Sequence, residues 1–151
     1  QLAHRGFAQG IVVAEKIAGL DPAPVDDALV PKVTFCEPEI ASVGLTEARA
    51  RQVHGADAVT TAEFNVAGNA KSQILGTQGF VKLVSLKDGP IVGFHAIGAR
   101  MGEQVGEGQL IVNWEADADD VAALVHAHPT QNETLGEAAM ALAGKPLHNH
   151  G

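Results

Sequence analysis

Apolar residues at helical spacing predict five helices in the chain. The pattern first covers residues 1–19, where Gly19 is placed to end the helix, and it returns over residues 101–114. Shorter segments of the same kind cover residues 46–53, with Thr46 as a candidate N-cap, and residues 119–125. A last helix is expected over residues 131–143, because Gly144 and Pro146 follow it.

Strand-forming residues are concentrated between these helices. The segments are residues 33–36, 40–43, 58–66, 80–86 and 91–97. Asp88-Gly89 separates the last two, and an Asp-Gly step between apolar runs favours a hairpin. Strands that precede a group of helices, instead of alternating with them, are typical of the α+β class. We therefore expect an antiparallel β-sheet flanked by helices, with the helices on one side.

A composition change predicts a domain boundary near the N-terminus. Residues 20–27 hold two prolines and three aspartates, a composition typical of a linker. The chain has no initiator methionine and begins within the first helical pattern, so we expect it to be a piece of a longer protein. The expected organisation is a terminal helix of a preceding domain at 1–19, a linker at 20–30 and a main domain at 31–151.

Composition narrows the possible functions. Hydrophobic residues make up 46% of the 151, which is typical of a folded domain, and the formal net charge of −8 argues against a nucleic-acid-binding surface. The sequence contains no apolar run of the roughly 18 residues that a membrane span needs. Cys36 is the only cysteine, which excludes an internal disulfide. We expect it to be a small buried residue on a strand. We expect a cytoplasmic protein.

Two further patterns are weaker signals. His126 with His128 and His148 with His150 form His-x-His pairs, but each supplies only two of the four ligands of a zinc site, so no metal is expected. The helix over residues 101–114 contains three glycines in a spacing that fits neither a dinucleotide-binding nor a phosphate-binding loop. Close packing against a neighbouring element explains them better.

The segment from His128 to Glu133 is the strongest candidate for chemistry. Pro129 restricts His128 to an extended backbone, and Glu133 falls in the first turn of the helix that follows. Glu133 can therefore reach one ring nitrogen of His128 and leave the other free, as a general acid/base requires. Thr130-x-x-Glu133 is also a capping box, with Thr130 as the helix N-cap. Spacing alone favours the cap, but the two roles are compatible because a carboxylate has two oxygens.

At this motif the sequence resembles the pyridine-nucleotide disulfide oxidoreductases. The resemblance includes His128-Pro129-Thr130-x-x-Glu133 and the residues after it, and it extends in order over residues 2–6, 37–47, 79–82 and 93–98. The residues from His128 onward and the tail from Gly144 are most similar to the dihydrolipoamide dehydrogenases of that family. The resemblance implies an interface domain that forms a homodimer, preceded by one helix from the end of the FAD domain.

The resemblance also implies a site shared between subunits. His128 would be the acid/base for a dihydrolipoyl thiol in the partner subunit's active site, and Glu133 would orient it. The backbone of Ala3 and the peptide between His128 and Pro129 would lie near FAD, the peptide from the other subunit. FAD and NAD are the cofactors expected of the parent enzyme, and the lipoyl domains of 2-oxoacid dehydrogenase complexes are its expected partners.

Several motifs of the full-length family members are absent from this sequence. It contains neither nucleotide fingerprint nor a CxxxxC pair, so we expect this chain alone to bind no FAD and to be inactive. Two alternatives stay open at this point. The chain could be a purely structural dimerisation module, or it could be the same domain of a glutathione-reductase-like member of the family.

Overall fold

The computed structural model describes residues 2–148 and is built on a five-stranded antiparallel sheet. The strands are β1 (Lys32–Thr34), β2 (Glu39–Gly44), β3 (Val59–Asn65), β4 (Phe80–Leu86) and β5 (Ile91–Gly98). Their order across the sheet is β1-β2-β5-β4-β3. The expected α+β fold with an antiparallel sheet is therefore confirmed, and so is the hairpin through Asp88-Gly89 that joins β4 to β5.

Six α-helices accompany the sheet within the described residues. They are α1 (Ala3–Ile17), α2 (Glu47–His54), α3 (Ala70–Leu75), α4 (Met101–Asn113), α5 (Ala118–Ala122) and α6 (Glu133–Leu142). Helix α3 was not predicted from the sequence; it has six residues, and the side chain of Asn69 caps its first turn. The other helices lie within a few residues of the predicted segments, and Thr46 caps α2 as expected.

The main core lies between one face of the sheet and the helices α4 and α6. Phe94 on β5, Leu83 on β4, Met101 on α4 and Leu135 on α6 are all fully buried there. Gly108 brings α4 close to the sheet, because a Cβ atom at this position would lie 2.6 Å from Phe94 Cγ. Gly108 thus serves close packing against a neighbouring element, as expected, whereas a Cβ atom at Gly106 would meet nothing within 4 Å.

The opposite face of the sheet carries α2, so the expectation of helices on one side only was wrong. Ala50 of α2 packs against Val59 and Val84 in a second, smaller core. Lys82 lies between two residues of the main core on β4, points to the other face and forms an ion pair with Glu47 at 2.7 Å. Periodicity within each element could not show which face of the sheet a helix would cover.

Helix α1 extends along the surface and buries none of its residues. Its apolar side chains are exposed, including Phe7 at 73% and Ile17 at 83%. Two polar contacts hold it to the following segment: Arg5 forms an ion pair with Asp27, and a ring nitrogen of His4 lies 2.7 Å from the Pro31 carbonyl oxygen. The division into residues 1–19, 20–30 and 31–151 stays a prediction.

Cys36 is exposed, which corrects the expectation of a buried strand residue. Strand β1 ends at Thr34, and the Cys36 thiol donates to the Pro38 carbonyl at 3.0 Å in the bend that follows. The Glu37-Pro38 peptide in this bend is cis. No helix between residues 2 and 148 combines the length and hydropathy needed to cross a membrane.

Candidate acid/base site at the start of helix α6

His128 and Glu133 meet on the turn that leads into α6. His128 Nδ1 lies 2.9 Å from Glu133 Oε1, and the peptide between His128 and Pro129 is cis. The His128 side chain is 70% exposed, whereas that of Glu133 is 24% exposed. The carboxylate therefore holds one edge of an imidazole whose other edge faces outward.

The second oxygen of Glu133 bonds to the backbone of the same turn. Thr130 N–H donates to Glu133 Oε2 at 2.8 Å, as in one half of a capping box. The other half is absent, because the Thr130 hydroxyl donates to the Ala127 carbonyl at 2.6 Å and the N-cap position belongs to Asn132. The expectation that Thr130 caps the helix was wrong. Glu133 nevertheless contacts both the turn backbone and His128, so one carboxylate makes a local structural bond and a bond to the imidazole.

The surroundings of Glu133 favour its charged form. Partial burial raises the pKa of Glu133, but the hydrogen bonds from Thr130 N–H and His128 outweigh it. The charges of His128 and His126 act in the same direction, and the pKa of this carboxyl is held below its ordinary value. At neutral pH Glu133 is therefore an anion that accepts a hydrogen bond from His128 Nδ1–H. The tautomer thus fixed leaves Nε2 of His128 free to accept a proton.

Buried amide side chains anchor the turn to the rest of the domain. Gln131 is 3% exposed and donates to the Ala99 carbonyl at 2.9 Å, while its oxygen accepts from Ser72 of α3 at 2.8 Å. Asn69 donates to the Thr130 carbonyl at 3.1 Å. Helix α3 and its N-cap residue Asn69 thus provide the polar side chains that hydrogen-bond to the turn.

A second histidine–carboxylate pair, not predicted from the sequence, lies close to the first. His126 Nε2 is 2.7 Å from Glu107 Oε1 on α4, with side chains 12% and 22% exposed. The hydrogen bond to Glu107 raises the pKa of His126 more than burial lowers it. Burial raises the pKa of Glu107, but its hydrogen bonds with His126 and Asn132 bring that pKa below its ordinary value. Nothing in the sequence links a loop histidine to a glutamate 19 positions earlier on a helix.

The remaining candidate residues lie elsewhere. Ala3 begins α1, where the apolar Leu2 at the N-cap provides no side-chain acceptor for the first amides of the helix. The expected contact of the Ala3 backbone with flavin stays a prediction. Ala3 lines two surface cavities beside α1, and neither lining includes His128 or Pro129. The structure therefore brings His128, Pro129 and Glu133 together but does not join Ala3 to them.

The histidines that suggested metal pairs have carboxylate partners instead. His126 and His128 bond to different glutamates, and His148 bonds to the buried Glu137 at 2.6 Å. His150 lies outside the described residues. Between residues 2 and 148 no group of three or more His, Cys, Asp or Glu side chains is arranged to hold a metal ion.

Comparison with known proteins points to one family. The pyridine nucleotide-disulphide oxidoreductase dimerisation domain matches residues 30–139. Dihydrolipoyl dehydrogenase of Bacillus subtilis is 42% identical over 149 residues, and that of Mycobacterium tuberculosis is 43% identical over 147. The alignments cover 97% and 95% of this chain but 31% of each relative, so the chain spans about a third of their length.

Solved structures share the fold. LpdA from Mycobacterium tuberculosis superposes with a TM-score of 0.81 over 89% of this chain and 29% of its own, at 23% identity. The Cu(II) complex of the flavoprotein disulfide reductase RclA from Escherichia coli gives 0.83 over 94% of this chain and 32% of its own, at 20% identity.

Proposed function

Because this chain belongs to the pyridine nucleotide-disulphide oxidoreductases and is their dimerisation domain, we propose that it is the C-terminal interface domain of a dihydrolipoamide dehydrogenase. In this proposal two copies form the homodimer, and each supplies His128 to the active site of the other subunit. The observation that carries the proposal is the exposed imidazole of His128, held at Nδ1 by a carboxylate that is itself bonded to the backbone.

The proposed chemistry is proton transfer at His128 Nε2. A dihydrolipoyl thiol gives its proton to Nε2, and the thiolate then attacks one sulfur of the redox disulfide in the partner subunit. One S–S bond breaks as the mixed disulfide forms, and the displaced cysteine leaves as a thiolate. The imidazolium that results is stabilised by Glu133, which stays ionised.

The other half of the reaction belongs to the rest of the parent enzyme. FAD bound there would carry the electrons from the reduced cysteines to NAD⁺, with the Ala3 backbone and the His128-Pro129 peptide of the partner beside it. The substrate would be the dihydrolipoyl group on a lipoyl domain of a 2-oxoacid dehydrogenase complex. This chain alone would bind no FAD and have no activity.

The test is a set of substitutions in the full-length enzyme. His128→Gln should lower turnover of dihydrolipoamide by about 10²–10⁴-fold, because it removes a positioned acid/base. Electron transfer from NADH to an artificial acceptor should continue, since that route needs no thiol deprotonation. Glu133→Gln should give an intermediate loss, because it keeps a hydrogen bond to the imidazole but removes the charge that stabilises imidazolium.

Thr130→Ala is the matched control. It removes the hydroxyl bond to Ala127, at a cost of about 1 kcal/mol, but leaves the Thr130 amide and the His128–Glu133 pair in place. Full turnover with His128→Gln would refute the catalytic role and leave a structural dimerisation module. The wild-type enzyme could instead turn over a glutathione-type disulfide and not lipoamide. If His128→Gln then loses that activity, the parent is a sibling reductase.

A further inference from the structure

Glu107 joins the two arms of the turn that carries His128 and Glu133. Its Oε1 lies 2.7 Å from His126 Nε2 on the incoming arm. Its Oε2 accepts from Asn132 Nδ2 on the outgoing arm at 2.6 Å. His126 is two residues before His128, and Asn132 is the residue before Glu133, so one carboxylate bridges the chain on both sides of the dyad.

The bridge is built on α4, which packs against the core of the domain. Glu107 projects from the middle of α4, and the next residue, Gly108, packs the helix on the fully buried Phe94. On α6, Gly136 leaves room for the His126 ring, because a Cβ there would lie 2.7 Å from His126 Nδ1. The ring is thus enclosed between two helices, with its carboxylate partner on one of them.

Asn132 extends the bridge along α4. Its side-chain oxygen accepts from Gln104 Nε2 at 3.2 Å, and Gln104 lies one turn before Glu107 on the same helix. Asn132 occupies the N-cap of α6, yet its side chain makes no cap hydrogen bond and is directed to α4 instead. The polar contacts of this residue therefore serve the link between the helices.

We propose that Glu107 is a positioning residue for the acid/base pair, acting by holding His126 and Asn132 at a fixed separation. The inference rests on the proposed function of His128 and Glu133. Glu107 itself touches neither of them and takes no part in proton transfer. Because acid/base geometry tolerates little displacement, loosening the two arms should slow the proton transfer without weakening substrate binding.

The test compares Glu107→Ala with Glu107→Gln in the full-length enzyme. Glu107→Ala removes both bonds of the bridge and should lower kcat for dihydrolipoamide by about 10–10²-fold, with KM little changed. Glu107→Gln should restore most of kcat, because its oxygen can accept from Asn132 and its amide can donate to a neutral His126. Asn132→Ala cuts one arm only and should give a smaller loss.

Two further readouts separate positioning from general stability. A crystal structure of the Glu107→Ala enzyme should show His128 Nδ1 and Glu133 Oε1 outside hydrogen-bond distance in one or both subunits. Glu47→Ala, which breaks an ion pair on the opposite face of the sheet, should lower thermal stability but leave kcat unchanged.

The outcomes are distinct for the two proposals. If Glu107→Ala and Asn132→Ala both keep wild-type kcat while His128→Gln loses it, Glu107 is structural only and the inference is wrong. A change confined to KM would also overturn it. If His128→Gln keeps wild-type kcat, the proposed function itself fails.

Discussion

At the scale of single residues, Glu133 explains how local structure and chemistry coincide. One of its oxygens meets the Thr130 amide and the other meets His128, so the carboxylate is fixed by the backbone before it orients the ring. A side chain held at both oxygens loses little further freedom when the imidazole becomes charged. A residue that completes a turn is thus well placed to position an acid/base.

Residue-level prediction from the sequence succeeded where partners lie close along the chain. The contact of His128 with Glu133 was predicted from five residues of spacing and is confirmed as a contact, while the catalytic role stays a prediction. The bond of His126 to Glu107 depends on how α4 and α6 pack on the sheet. Neither the spacing nor the residue types in the sequence contain that information.

The His126–Glu107 pair should make the stability of this chain depend on pH. The pKa of His126 is raised above its ordinary 6.5, so its contribution is complete below pH 6.5 and is lost as the pH rises through the raised value. The pKa of Glu107 is lowered below its ordinary 4.5, so its contribution is complete above pH 4.5 and is lost as the pH falls through the lowered value. The pair should therefore stabilise the fold most between pH 4.5 and pH 6.5.

Thermal unfolding of the wild-type chain and of Glu107→Gln measures this effect. The difference in Tm should be larger at about pH 5.5 than at about pH 8.5, because the imidazole of His126 loses its charge as the pH rises through its raised pKa. Glu47→Gln is the control, since Glu47 pairs with a lysine and an arginine and not with a histidine. Equal differences at both pH values for Glu107→Gln would show that the pair carries no charge-dependent stability.

At the scale of the elements, alternation and turn signals were sufficient for the sheet. The strands β4 and β5 and their Asp-Gly hairpin follow the predicted segments closely. The six residues of α3 were missed because a helix of one and a half turns leaves too short a periodic pattern. Cys36 was predicted to be buried but is exposed, because β1 ends at Thr34, before it. Thr130 was predicted to cap α6, but its hydroxyl donates to the Ala127 carbonyl instead.

Two glycines of α4 should respond in opposite directions to the same substitution. Gly108→Ala forces a methyl group against Phe94 and should destabilise the fold by about 1–3 kcal/mol. Gly106→Ala meets no atom of its own chain within 4 Å and should stabilise the monomer by about 0.5–1 kcal/mol. Urea unfolding of the two variants of this chain gives both values. A loss of stability in both would mean that the exposed side of α4 is also packed in solution.

At the scale of the whole molecule, the structure leaves apolar side chains on the surface beside the proposed site. Trp114 is 76% exposed and Leu110 is 48% exposed on or just after α4, and Val125 next to His126 is 98% exposed. The bond from His126 to Glu107 places Val125 near the middle of α4. Exposed apolar side chains of this size are typical of a protein contact, and the partner expected of a dimerisation domain is a second copy of itself.

The chain described here should therefore form a homodimer in solution. Size-exclusion chromatography with light scattering should give twice the monomer mass at high micromolar concentration. A charged residue in place of the exposed Leu110 should shift the mass toward the monomer, because a desolvated charge opposes an apolar contact. Val53→Glu is the matched control, since Val53 is also about half exposed but lies on α2. A wild-type chain that stays monomeric would contradict the prediction, and a dimer that survives Leu110→Glu but not Val53→Glu would place the contact on the other face of the sheet.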